Sequence, residues 1–378
     1  MNFTLLLNDP IALILLITFC TALFFQLIYY WFIFGRLAFY RQKKSIHNDE
    51  PVSVVICAKN EYYNLKNNLP MILEQDYPNF EVIVVNDASD DETYYLLKIM
   101  SDKYHHLKIV NIKEDVNFFK GKKFPLTIGI KSAKHDIILL TDADCKPGSM
   151  LWVKKMAEQF KTETEIVLGY GKYKQEKGLL NRIIRFDTFF IGLQYLSYSL
   201  CGMTYMGVGR NLSYRKSLFY SKNGFINHYK IKSGDDDLFI NQAATSKNTK
   251  ISIDFECHTV SQAKNTFSNW MTQKRRHLTT GRFYKISTKL MLGFYSLTLL
   301  AFFATFVSLL IYDKNNIFLF LALFTLRLIS QLIIHKRIMN KLDEKKFLLL
   351  TPVFEIFFLI LNPLIVLFNI YSKPDKWK

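Results

Sequence analysis

The sequence is poor in cysteine: five residues in 378, with no metal-type spacing among them. Cys20 lies inside an apolar run, so no disulfide framework is expected, and the thiols read as reduced. The stretch GVGRNLSYRK, residues 207–216, lacks the third glycine of a dinucleotide-binding fingerprint, and no strand-turn-helix of suitable length follows it. Its glycines fit a plain turn or a close backbone approach to a substrate equally well. No motif of a known nucleic-acid module is present, and the basic residues lie mainly beside apolar runs, so nucleic acid is not an expected partner despite a net charge of +17. No Lys or Arg precedes the first apolar run, which removes the basic start of a cleaved signal peptide. No repeat or low-complexity stretch interrupts the middle of the chain.

What is present falls into two kinds of region. Residues 11–34 carry no charged side chain and are long enough to cross a hydrocarbon layer roughly 30 Å thick as a helix. Three further apolar runs cover 290–312, 317–334 and 347–371. The first two read as spans joined by DKNN. The third contains Pro352, Glu355, Asn362 and Pro363, and reads either as a kinked span or as a re-entrant hairpin. Arg36, Arg41, Lys43 and Lys44 follow the first span, and HKRIMNKLDEKK follows the third. By the positive-inside rule both loops face the cytoplasm, which places the segment 36–288 there and the N-terminus outside. The expected layout is a membrane helix within 1–35, a cytoplasmic domain over 36–288, a membrane region over 289–371 and a polar tail over 372–378. A bacterial inner membrane is the expected location.

Within 52–141, apolar runs rich in Val and Ile (VSVVICA, FEVIVVN, LKIVNI, DIILLT) alternate with helix-length amphipathic segments, the first with a possible break at Pro70. This pattern predicts an α/β domain with a parallel sheet covered on both faces. Ligands of such sheets bind beyond the carboxyl ends of the strands. Ala58, Asn60, Glu61, Asn86, Asp87, Asp142 and Asp144 all fall at such ends and would converge on one crevice.

Asp142 and Asp144, one residue apart, offer hard oxygen ligands to Mg²⁺ or Mn²⁺, whose remaining positions would go to water and a substrate diphosphate. A capping turn with Asp144 solvated is the alternative. In KSGDDDLFI, three consecutive aspartates exceed what one helix N-terminus needs, so one of Asp235, Asp236 and Asp237 is a candidate general base. In WMTQKRRHLTTGR, Gln273, Arg276 and His277 have a spacing suited to clamping phosphate and sugar, whereas Lys274 and Arg282 read as lipid-facing anchors. Residues 179–196 form an amphipathic helix that either lies in the membrane interface and positions an acceptor or belongs to the core.

Taken in order, VSVVICAKNE, VIVVNDASDDET, GKKFPLTIGI, TDADC, GVGRNLSYRK, GDDDL and QKRRH resemble the motif series of the processive and lipid-directed family-2 glycosyltransferases. That group includes cellulose, hyaluronan and poly-N-acetylglucosamine synthases and ceramide glucosyltransferases. The resemblance covers about residues 50–285 and implies a GT-A (Rossmann-like) fold, a nucleotide-sugar donor, usually a UDP-sugar, and an inverting single displacement. It implies that Ala58, Asn60, Glu61, Asp87 and Lys122 hold the nucleoside, and that Asp142 and Asp144 bind metal and diphosphate. It makes Asp235, with Asp236 beside it, the catalytic pair, and puts Gln273, Arg276 and His277 at the acceptor and diphosphate. His277 stands where the family has Trp, which removes a sugar-stacking face. Thr127 replaces a usual Asn, and Asn86 the first of two common Asp residues.

The expectation is a membrane-bound inverting glycosyltransferase with one N-terminal and about three C-terminal spans, acting on a lipid or glycan acceptor. A processive polysaccharide synthase with export and a catalytically inactive membrane-tethered scaffold of the same fold remain the alternatives. Arg327 and Glu355, inside apolar runs, either pair with each other or line a polar path.

Overall fold

The computed structural model describes residues 9–42, 49–113, 121–231 and 233–372. Lys43, Lys44 and the tail beyond Ser372 lie outside the described residues. The first helix, α1 (Pro10–Ile28), continues through a π-helical turn at Tyr29–Phe34 to Ala38. Then β1 (Val52–Ala58), α2 (Tyr62–Leu73), β2 (Phe80–Asp87), α3 (Thr93–Lys103), β3 (Leu107–Ile112), α4 (Lys123–Ser132) and β4 (Ile137–Asp142) alternate as expected. Alternate side chains point to opposite faces of a strand. Accordingly Val55, Ile83, Val85, Ile138 and Leu140 enter one apolar core, while Val54, Ile56, Val82, Val84 and Leu139 enter another. Burial on both faces is why these strands read as continuous apolar runs rather than as alternating ones.

Helix α2 runs through Pro70 without a break. Pro70 withholds only the hydrogen bond to the Lys66 carbonyl, and Lys66 is exposed, so water can satisfy that group. Helix α4 lies close against the sheet at Gly129, where an added Cβ would stand 2.6 Å from Val55 Cγ1.

The second half departs from the parallel pattern. It contains β5 (Cys145–Pro147), α5 (Trp152–Ala157), β6 (Ile166–Leu168), β7 (Gly171–Tyr173), α6 (Leu179–Leu200), β8 (Leu212–Arg215), α7 (Lys216–Ser221), α8 (Asp237–Ala243), β9 (Thr249–Ile251), β10 (Thr259–Ser261) and α9 (Phe267–Leu278). The main sheet has the order β3-β2-β1-β4-β8-β6-β9, with β8 antiparallel to both neighbours. A small sheet, β5-β10-β7, stands beside it. The sheet is therefore mixed. Leu212 pairs with Leu140, so the residues entering β8 arrive at the carboxyl ends of the parallel strands.

Three helices follow: α10 (Ile286–Tyr312), α11 (Ile317–Lys341) and α12 (Thr351–Tyr371). With α1 they make four helices long and apolar enough to cross a membrane. The last is one continuous helix containing Pro363, not a hairpin. Helix α6 is buried along most of its length, between the sheet and the membrane bundle. Phe186 packs on Phe347, Phe354 and Phe358, and Arg185 pairs with Glu344 at 2.5 Å. Its burial is that of a helix packed into the core on at least one face. Lys274, expected to face lipid, is 6% exposed and donates to both Asp187 oxygens at 2.7 and 2.8 Å, tying α9 to α6. Arg282 is exposed, over the Phe283 ring.

Candidate active site

A cleft of about 630 Å³ opens at the carboxyl ends of β1, β2 and β4. Ala58 ends β1 and Glu61 follows it, Asp87 ends β2, and Asp142 and Asp144 stand where β4 turns into β5, all on its walls. Asn60 does not line it. Its backbone adopts φ +55°, and its side-chain oxygen accepts from the Asp90 N–H at 2.8 Å, so it ties the loop after β1 to the loop after β2. Asn86 is 5% exposed and donates to Asn111 at 3.0 Å, inside the sheet. The Thr127 hydroxyl turns back onto the Lys123 carbonyl at 2.7 Å.

Oxygens of Asp142 and Asp144 and the Cys145 sulfur lie within 4.8 Å of one another. Burial, then the two neighbouring carboxylates, pushes the Cys145 thiol well up. The available donors are two carboxylates, a set that fits a hard divalent cation rather than a soft one. Lys122 is ion-paired with Asp142 and lies 3.9 Å from Asp235. Desolvation raises the Asp142 carboxyl, but the Lys122 ammonium, followed by Arg210 and Arg276, overcomes this and holds it below the usual value.

The three aspartates of GDDDL separate into three environments. Gly234, at φ +90°, turns the chain into them. Asp237 is 7% exposed and accepts from Thr280 Oγ1 at 2.5 Å and Tyr284 OH at 2.7 Å. It anchors α8. Asp236 caps α8 through the Asp237 N–H at 2.8 Å and accepts from the Gly209 N–H at 2.7 Å. Desolvation, then repulsion from Asp235 and Asp237, pushes its carboxyl up to about 7. Asp235, 9% exposed, lines the same cleft and has the Lys122 ammonium 3.9 Å away, the ammonium that also pairs with Asp142.

Helix α9 closes the cleft with Gln273, Arg276 and His277, one face at i, i+3 and i+4. Gln273 donates to Tyr173 OH at 3.3 Å. His277 is open to the cleft. Desolvation, then the charges of Arg276, Arg210 and Lys274, pushes it down to about 3, so it is neutral at ordinary pH.

The sequence reading passed over Arg210 and Tyr173. The Arg210 guanidinium lies 4.4 Å from the Tyr173 ring centroid, donates to Ser261 at 2.9 Å and lines the cleft. Arg210 follows Gly209 at the entrance to β8, and only the reversed direction of that strand brings it to the parallel strand ends. Nothing in the local pattern announces that reversal. Its one signal was membership of the GVGRNLSYRK motif.

The family model for glycosyl transferase family 2 matches residues 53–221. A probable glycosyltransferase, YdaM, of Bacillus subtilis is 33% identical over 142 residues, 36% of this chain and 33% of that protein. A poly-beta-1,6-N-acetyl-D-glucosamine synthase of Staphylococcus epidermidis is 30% identical over 188 residues, 46% of this chain and 42% of the synthase. The match thus spans less than half the length of either curated relative. Among solved structures, a mannosyltransferase from Pyrobaculum calidifontis in complex with GDP-Man and Mn²⁺ superposes with a TM-score of 0.55 at 17% identity, covering 88% of this chain and 99% of that one. The alternating strands, the acid-lined cleft at their carboxyl ends and the matched segment agree: residues 53–221 match the model of glycosyl transferase family 2, on a GT-A-like fold joined to four helices long and apolar enough to cross a membrane.

Proposed function

We propose that the protein is an inverting glycosyltransferase that moves a sugar from a nucleotide-sugar, a UDP-sugar in the first instance, to a lipid or glycan acceptor at a membrane. The observation that carries this is the placement of Asp142 and Asp144 across one cleft from Asp235, with Lys122, Arg210 and Arg276 around them.

Ala58, Glu61 and Asp87 line the end of the cleft suited to the nucleoside. Asp142 and Asp144 would hold Mg²⁺ or Mn²⁺, which when bound neutralises charge on the diphosphate. Arg210 and Arg276 present guanidinium donors to the same leaving group, and Arg suits phosphate because its donors form a planar fork. Of the three aspartates, Asp237 is committed to Thr280 and Tyr284, and Asp236 to two backbone N–H groups. Asp235 therefore accepts the proton of the attacking hydroxyl, and a single displacement inverts the anomeric centre. His277, on the same helix face, is a hydrogen-bonding partner for sugar or diphosphate.

The basic loops after the first and third spans support a cytoplasmic catalytic domain. Inside the bundle, Arg327 and Glu355 pair at 2.7 Å and are enclosed by Gln26, Tyr30, Tyr295 and Gln331. That closed network supports transfer without translocation of a long polymer. A donor screen tests the reading: release of free nucleotide from each nucleotide-sugar, with and without Mn²⁺, in the presence of membrane lipid extract. Activity that disappears in folded Asp142→Ala supports it, and absence of turnover with every donor overturns it.

A further inference from the structure

The polar centre occupies only one end of the cleft. The other end extends away from Asp142 and Asp144 to Leu292, about two turns into α10, one of the helices able to cross a membrane. Along it, α6 contributes Ile184, Thr188 and Ile191, spaced i, i+4 and i+7 on one helical face. Met206 and Tyr284 complete the wall. A soluble sugar acceptor needs a dense set of hydrogen-bond partners, whereas at this end Asp187 is already taken by Lys274, the remaining side chains are mainly hydrocarbon, and the lining leads to a helix able to cross a membrane. Outside, Arg282, Lys285 and Lys289 are exposed beside Ile286 and Leu290, which are 74% and 68% exposed. Cations next to exposed apolar side chains at the start of a span match the headgroup level of an anionic bilayer.

We propose that this end of the cleft is a groove for the hydrocarbon chain of a membrane-lipid acceptor, entered from the bilayer beside the start of α10; the proposal rests on the glycosyl-transfer reading of the same cleft. The lipid's head lies toward Asp235 while its chain runs between α6 and α10. In the transfer, the head-group oxygen forms the bond to the anomeric carbon as the bond from that carbon to the diphosphate breaks. The diphosphate leaves with the electron pair, and the acceptor proton goes to Asp235. Continuity with the reaction centre at one end and with a membrane helix at the other is the argument for this occupant.

The test uses the full chain in lipid nanodiscs containing a phospholipid with a diazirine near the end of its acyl chain. Photolysis is expected to place adducts, mapped by mass spectrometry, on Ile184, Ile191 or Leu292. Filling the groove with Ile191→Trp, or independently with Leu292→Trp from the opposite wall, is expected to reduce those adducts at least fivefold while labelling at the outward-facing Leu297 and Leu300 persists. Adducts confined to outward-facing residues would overturn the proposal. So would nucleotide release that soluble oligosaccharides stimulate as strongly as lipid does, a result that leaves glycosyl transfer itself standing. Failure of the wild-type chain to bind any nucleotide-sugar is the separate result that removes the underlying reading, and the acceptor assignment with it.

Discussion

The protein buries charge in two places and treats it differently. In the bundle of membrane-length helices, Arg327 and Glu355 are 1% and 3% exposed, and all four helices close around them: Gln26 from α1 and Tyr30 from its π-helical turn, Tyr295 from α10, Gln331 from α11 and Glu355 itself from α12. Both carboxylate oxygens of Glu355 accept, one from Tyr295 at 2.6 Å and the other from Arg327 at 2.7 Å. In the cleft, by contrast, Asp142 keeps 34% of its side chain open, and Asp235, 12% open, has the Lys122 ammonium no closer than 3.9 Å. A charged pair enclosed on every side, with both carboxylate oxygens accepting from the protein, acts as structure. One left partly open can exchange protein partners for those of a substrate.

The sharpest way to test that contrast is Asp235→Asn. It is expected to lower transfer by about 10²- to 10⁴-fold, the usual worth of a general base, while the thermal unfolding midpoint in detergent stays close to wild type. A large fall in the midpoint would show the cleft aspartates to be structural. Glu355→Ala should behave oppositely, destabilising the protein by roughly 3–5 kcal/mol because Arg327 is left buried and unpaired, with normal turnover in whatever fraction remains folded. Thermal denaturation with parallel activity assays separates the two outcomes. Between these extremes lies the tie of α9 to α6: Asp187→Ala deprives the buried Lys274 of its carboxylate, with an expected loss of about 2 kcal/mol. Because α9 carries Gln273, Arg276 and His277, this variant should also raise the apparent KM for the donor, which initial-rate kinetics would read.

A further effect concerns pH. Asp236 has its folded-state pKa raised from 3.8 to about 7, so the folded protein holds a proton that the unfolded chain releases first. The stability from this group is complete below about pH 4 and is lost as pH rises toward 7. Asp236→Asn should therefore flatten the decline in melting temperature between pH 4.5 and 7; an unchanged slope would count against the assignment.

Much of this arrangement was legible beforehand. The strand runs from Val52, Phe80, Leu107 and Ile137 announce themselves because a strand buried on both faces must be apolar throughout, and the carboxylates that end them are local breaks in that pattern. The four membrane helices were legible for a similar reason, since length and lack of charge suffice. The fourth stayed ambiguous because Pro363 permits a kink without requiring a hairpin. The fate of 179–196 was not legible. An amphipathic stripe reports that one face avoids water, but Phe186 and Phe189 avoid it equally well against lipid or against Phe347 and His335. Lys274 misled for the same reason: its neighbour Asp187 is 87 residues away.

By itself, then, the sequence determined the alternation of strands and helices, the number of membrane-length segments and the position of acid groups at strand ends. Each of these is written in side-chain periodicity over one or two turns. Only the tertiary structure decided that β8 runs backwards and delivers Arg210, that Asp237 and Asp236 accept hydrogen bonds from distant groups while Asp235 stands beside Lys122, and that α6 packs between the sheet and the long apolar helices. Those outcomes depend on which distant side chains share a small volume, and packing sets that only after the whole chain has closed around its cores.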